Sequence, residues 1–87
     1  MEIPEEFIWR YVGHRKEDYL RCIEYFSNKN FAGLESIGHQ LKGNGMTFGF
    51  PDITELGIEL EKHAKRLDLI SLKKDLEKFL NWVERMT

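Results

Sequence analysis

The chain has 87 residues and a formal charge of −2, from 13 basic and 15 acidic side chains spread along it rather than gathered in blocks. That length suffices for one hydrophobic core and not for two, and that balance argues against nucleic acid or an anionic membrane as main partner. No apolar run approaches the roughly 20 residues that span a bilayer, and the acidic start, with Glu2, Glu5 and Glu6 around Pro4, lacks the basic-then-apolar order of a signal peptide, so a cytoplasmic location is expected.

Helical punctuation divides the chain into one short and four longer elements, and no stretch alternates as a half-buried strand does. Phe7, Ile8, Tyr11 and Val12 predict a short amphipathic turn after Pro4, stopped near Gly13. Tyr19, Ile23 and Phe26 give the next helix its inner face. Its lone Cys22 has no disulfide partner and no ligand-spaced Cys or His, and reads as a small half-buried residue. Residues 27–30 are a polar break, with Asn30 a good N-cap for a helix beginning at Phe31. Phe31, Leu34, Gly38, Leu41, Gly45 and Phe48 recur at steps of three and four, the seam of one helix ended by Gly49 and Pro51. Pro51 or Asp52 opens the next, where Glu55 suits the positive first turn and Ile53, Leu56, Leu60, Ala64 and Leu67 form a seam. Residues 68–71 make the last break, and Leu72, Leu76, Phe79, Leu80 and Val83 give the final helix a broad apolar face.

Four amphipathic helices joined by short breaks bury their stripes only against one another. The expected fold is all-α, an antiparallel up-down-up-down four-helix bundle with a short extra N-terminal helix, in one domain over residues 1–87. Most of the six phenylalanines, three tyrosines and two tryptophans are expected in the core. Phe50, just past the helix turn, is expected to pack under the connection, while Trp9, Tyr11 and Phe48 are candidates for surface roles.

The most informative stretch is residues 39–51. Glycine costs a helix interior about 0.8 to 1 kcal/mol relative to alanine, so Gly38, Gly43 and Gly45 together give up about 2 to 3 kcal/mol. Gly38 and Gly45 lie in the apolar seam, where they let neighbouring helices come near. Gly43 projects roughly opposite, as bare backbone towards solvent, with His39 roughly 130 degrees from the seam centre. His39, Lys42 and Gly43 therefore make one outward patch, flanked by Glu35, Ser36 and Met46. An imidazole with an ordinary pKa of about 6.5 is largely free base at neutral pH and can act as a nucleophile. A cation roughly 6 Å from an attached phosphoryl group favours it by about 1 to 2 kcal/mol per unit charge. Together the three residue types fit a phosphohistidine made by a partner.

At these residues the chain resembles the histidine-containing phosphotransfer (HPt) family, whose recurring pattern is His-x-Leu-Lys-Gly, a further glycine, and a Leu-Glu pair on the following helix. The chain supplies His39-Gln40-Leu41-Lys42-Gly43, Gly49 and Leu60-Glu61. The likeness is strongest in residues 39–51 and elsewhere rests on helix number and spacing. It implies that His39 accepts a phosphoryl group and exchanges it with an aspartate of a response-regulator receiver domain, or takes it from a histidine kinase. Lys42 would then sit beside the phosphoryl group. Gly43, with Met46, Glu35 and Ser36 around it, would permit docking of the receiver, and an exposed aromatic near His39 would help hold it. Gly49 would occupy the turn closing the helix. No cofactor is expected on the chain, the divalent metal belonging to the receiver, and a monomer is expected. The motif leaves open whether Glu61, His63 or neither orients the imidazole.

Other chemistries fit less well. His14, His39 and His63 are too scattered for a zinc site, and His63 reads as a solvated or boundary residue. Gly43-Asn44-Gly45 and Gly49 follow no strand and match no phosphate-binding loop, so the expected protein is a carrier without its own kinase site. The main alternative is a non-phosphorylated helical interaction module. A detached substrate domain for a chemotaxis-type kinase would share the histidine chemistry and differ in donor.

Overall fold

Pro4 has no amide hydrogen to contribute to a helix and stands as the N-cap of the first one in the computed structural model, which describes residues 2–87. Four α-helices follow: α1 (Glu5–Ser27), α2 (Phe31–Asn44), α3 (Pro51–Lys65) and α4 (Leu69–Met86), with one 3₁₀ turn, Met46–Phe48, between α2 and α3. There is no strand among the described residues, nor any helix long and apolar enough to cross a membrane. Asn30 caps α2 as expected, its side chain accepting from the Gly33 amide at 3.0 Å, and Asp68 caps α4 through the Ser71 amide at 3.1 Å. Pro51 takes the first turn of α3.

The N-terminal region departs from expectation. There is no separate short helix: α1 runs unbroken through Gly13, because Tyr11 and Val12 before it and Cys22 beyond it are all buried in the same core. Packing on both sides outweighs the roughly 1 kcal/mol cost of one interior glycine. A Cβ at Gly13 would meet nothing within 4 Å. Gly13→Ala is therefore expected to stabilise the fold by about 1 kcal/mol, which thermal unfolding of the dilute protein would read as a rise of about 4–8 °C. The inner face of α1 is also shifted from the expected one, since Cys22 is fully buried and Ile23 is exposed. Burial pushes the Cys22 thiol up to about 12, which makes it an unreactive packing group.

Leu67 leaves the α3 seam for a similar reason of chain geometry. It adopts a left-handed φ of 55° just after α3 and is largely exposed, and Lys29 does the same after α1 with φ 53°. Neither helix end carries the glycine that usually marks such a turn. At the end of α2 the helix stops at Asn44 and continues only as the 3₁₀ turn, so Phe48 lies beyond the α-helix; Gly49 then reverses the chain with φ 85°.

One buried cluster draws on all four helices, with Trp82 and Phe79 of α4 as its largest fully buried side chains beside Leu34, Leu41, Ile53, Leu60 and Leu72. α2 meets α3, α3 meets α4, α4 meets α1 and α1 meets α2, a closed ring of contacts in which the α2–α3 pair is by far the most intimate. Aromatic rings close one end. Tyr11 stacks on Phe48 at 4.4 Å and on Phe50 at 5.6 Å, and Phe50 meets Trp82 edge-on at 5.3 Å. Phe50 thus packs under the connection as its place in the sequence suggests, and Tyr11 and Phe48 belong to this packing.

Candidate functional site

Three glycines place the site. A Cβ at Gly38 would lie 2.6 Å from the Glu61 amide nitrogen, and one at Gly45 would lie 2.8 Å from the Phe50 carbonyl oxygen. A Cβ at Gly57 on α3 would collide with the Lys42 amide nitrogen and sit 2.6 Å from the Gly38 carbonyl oxygen. Backbone thus meets backbone along the α2–α3 contact, as the seam positions of Gly38 and Gly45 predicted. Gly57 is their partner on α3, a residue not among those expected at the site. Its signal was available: it falls between Ile53 and Leu60 at steps of four and three, where a larger apolar residue is the default. The amide of Met46 donates to the Thr54 hydroxyl at 2.7 Å and pins the 3₁₀ turn to α3.

This closeness brings Glu61 of α3 under the outward face of α2. Its carboxylate accepts from Nδ1 of His39 at 2.9 Å through one oxygen and from Nζ of Lys42 at 2.7 Å through the other. The ring-orienting residue left open by the motif is therefore Glu61. An ionised carboxylate only accepts, so the neutral ring carries its proton on Nδ1 and leaves the Nε2 lone pair free. The His39 side chain is 70% exposed, whereas that of Glu61 is 12% exposed. The Lys42 ammonium, followed by the His39 contact, holds the Glu61 carboxyl below the usual carboxylate range against the opposing effect of desolvation. A depressed folded-state pKa adds stability above the ordinary carboxylate value of about 4.3 and loses it as pH falls through the folded value, so Glu61 is ionised at neutral pH.

Lys42 reaches the carboxylate rather than standing free, so its charge is partly offset where it lies. Gly43 is exposed, and a Cβ there would meet nothing within 4 Å. Ser36 is exposed and Met46 is 68% exposed, while Glu35 is half-buried with its carboxylate 3.8 Å from Lys65 Nζ. Ala32, not singled out by its sequence, is exposed seven residues before His39, so small residues at 32, 36 and 43 leave the imidazole the tallest group on its stripe of helix. Gly49 closes the turn as anticipated.

His63 is not at this site and is not a free surface residue. Its Nδ1 lies 2.6 Å from the carboxylate of Asp75 on α4, and its side chain is 16% exposed. Asp75 is buried, and loss of solvent raises its carboxyl above the usual range although the His63 contact opposes this. The pair ties α3 to α4.

No family model, no curated protein and no solved structure matches this chain.

Proposed function

We propose that the chain is a histidine phosphotransfer protein of a phosphorelay, accepting a phosphoryl group on Nε2 of His39 and returning it to an aspartate of a receiver domain. The carrying observation is the Glu61–His39 hydrogen bond beneath an exposed ring, next to the bare backbone of Gly43. Nε2 attacks the phosphorus of an aspartyl phosphate. The N–P bond forms, the acyl-phosphate P–O bond breaks, and its electron pair returns to the aspartate carboxylate. No proton need leave, because the attacking lone pair is already free, and the positive charge that develops on the ring faces the Glu61 carboxylate. Lys42 shares that carboxylate and lies one turn from His39, within reach of an attached phosphoryl group.

The partner is a receiver domain or a histidine kinase, docking over Gly43, Ser36 and Met46 with Glu35 at the edge. The receiver contributes the aspartate and the divalent metal, while this chain contributes a nucleophile and a surface, acting in the cytoplasm as a carrier and not a kinase. The closed ring of helix contacts and the short connections support an up-down-up-down course for the chain, which presents one face of α2 to such a partner.

Intact-mass measurement after mixing with chemically phosphorylated receiver domains tests the reading. A gain of one acid-labile phosphoryl group is expected. No gain from several receivers, with helicity intact, would replace the carrier with a non-phosphorylated interaction module. Gly43→Leu should retain the nucleophile yet slow transfer by about tenfold or more, since a side chain there holds the partner's reacting atom away from the ring. An unchanged transfer rate would remove close approach at Gly43 from the mechanism.

A further inference from the structure

The outer face of α1 has no role in the site on α2 and α3, yet it carries Trp9 and Leu20, 57% and 59% exposed. At 3.6 residues per turn these two stand with Gly13 on the side of α1 opposite buried Asp18 and Cys22. Gly13 lies between them as an open notch, with nothing within 4 Å of where a Cβ would be. Large apolar groups around bare backbone form a surface that another helix can approach closely.

We infer that this face pairs with α1 of a second copy of the chain, antiparallel, with the two-fold axis beside Gly13. The charges on the face select this occupant. In an antiparallel pair crossing between residues 13 and 14, position i of one copy stands opposite position 27 − i of the other. Arg10 then faces Glu17 of the second copy and Glu6 faces Arg21, and each pair occurs twice by symmetry. All four residues are exposed and lie along one flank of the stripe. Trp9 packs beside Leu20 of the other copy, again twice, and the backbones cross where glycine removes the obstacle. Crossing near Leu20 instead would leave Trp9 without an apolar partner. The overlap covers residues 5–22, about 27 Å of helix. A contact of that length is at the low end of specific interfaces, roughly 1,000 Å² in total, which suits a weak dimer in the micromolar range.

Sedimentation velocity of the full chain from low micromolar to near-millimolar concentration tests this. The mass is expected to rise from one to two copies in the parent and to stay at one in Leu20→Glu, whose exposed position preserves the helicity read by circular dichroism. Arg10→Glu and Glu17→Arg should each remain monomeric alone, because like charges then face each other, and should associate when mixed, because each reversed partner restores opposite charges. Recovery on mixing is the specific signature of this register and is not produced by misfolding. A parent that stays monomeric at the highest concentration would overturn the pairing and leave the stripe to a different protein. Association that persists in Leu20→Glu, or reversed variants that fail to recover on mixing, would overturn it as well.

Discussion

Gly57→Ala is expected to lower the stability of the fold by about 2 kcal/mol or more, and the melting temperature by about 8–16 °C. The added Cβ would meet the Lys42 amide nitrogen, the Gly38 carbonyl oxygen and the Leu41 carbonyl carbon, all backbone atoms of α2 that no rotamer change can move. Only separation of α2 from α3 makes room, and that opens the most intimate contact in the protein. The gain of about 1 kcal/mol in helix propensity offsets part of the cost. The same glycine-to-alanine change at Gly13 has the opposite expected sign, because the space there is open. Thermal unfolding of the two variants side by side is decisive. A Gly57→Ala protein melting at or above the parent would show that α2 and α3 are not held backbone to backbone.

Removal of the imidazole is expected to have the largest functional effect. His39→Ala should accept no phosphoryl group while keeping its helicity and close to its parent stability, because the ring is 70% exposed and its one hydrogen bond is to Glu61. Glu61→Ala should leave the nucleophile in place and slow transfer by about tenfold to a hundredfold, the scale on which losing the group that orients a metal-bound histidine lowers activity. The two effects separate in the tautomer. With the carboxylate present the neutral ring holds its proton on Nδ1; without it the ring should shift towards the Nε2-protonated form that free imidazole side chains prefer, which blocks the attacking lone pair. Nitrogen-15 shifts of the neutral ring, recorded at alkaline pH for parent and Glu61→Ala, read this directly. Identical tautomer populations in the two proteins would remove Glu61 from the role of positioning residue. A phosphoryl group gained by His39→Ala would move the acceptor elsewhere.

The helix-forming segments, the Asn30 cap, the Pro51 start and the Gly49 turn were legible because each is a local preference, decided within about one turn of chain. The patch of His39, Lys42 and Gly43 was legible for the same reason, as three positions on one helix. Gly13 misled as a local signal because its cost is small beside the burial of Tyr11, Val12 and Cys22 on the same helix. Leu67 misled because its left-handed turn carries no glycine.

Local preferences along the chain thus set the all-helical class of the fold and the outward placement of a histidine beside a lysine and a bare glycine. Tertiary packing alone brings Glu61 rather than His63 to the ring, lets Lys42 share that carboxylate, and ties half-buried His63 to buried Asp75. These partners are 22, 19 and 12 residues apart. Periodicity fixes which face of a helix a residue occupies, whereas the pairing of two helices depends on how deeply and in what register they meet, and here Gly38, Gly45 and Gly57 set both by letting backbone touch backbone.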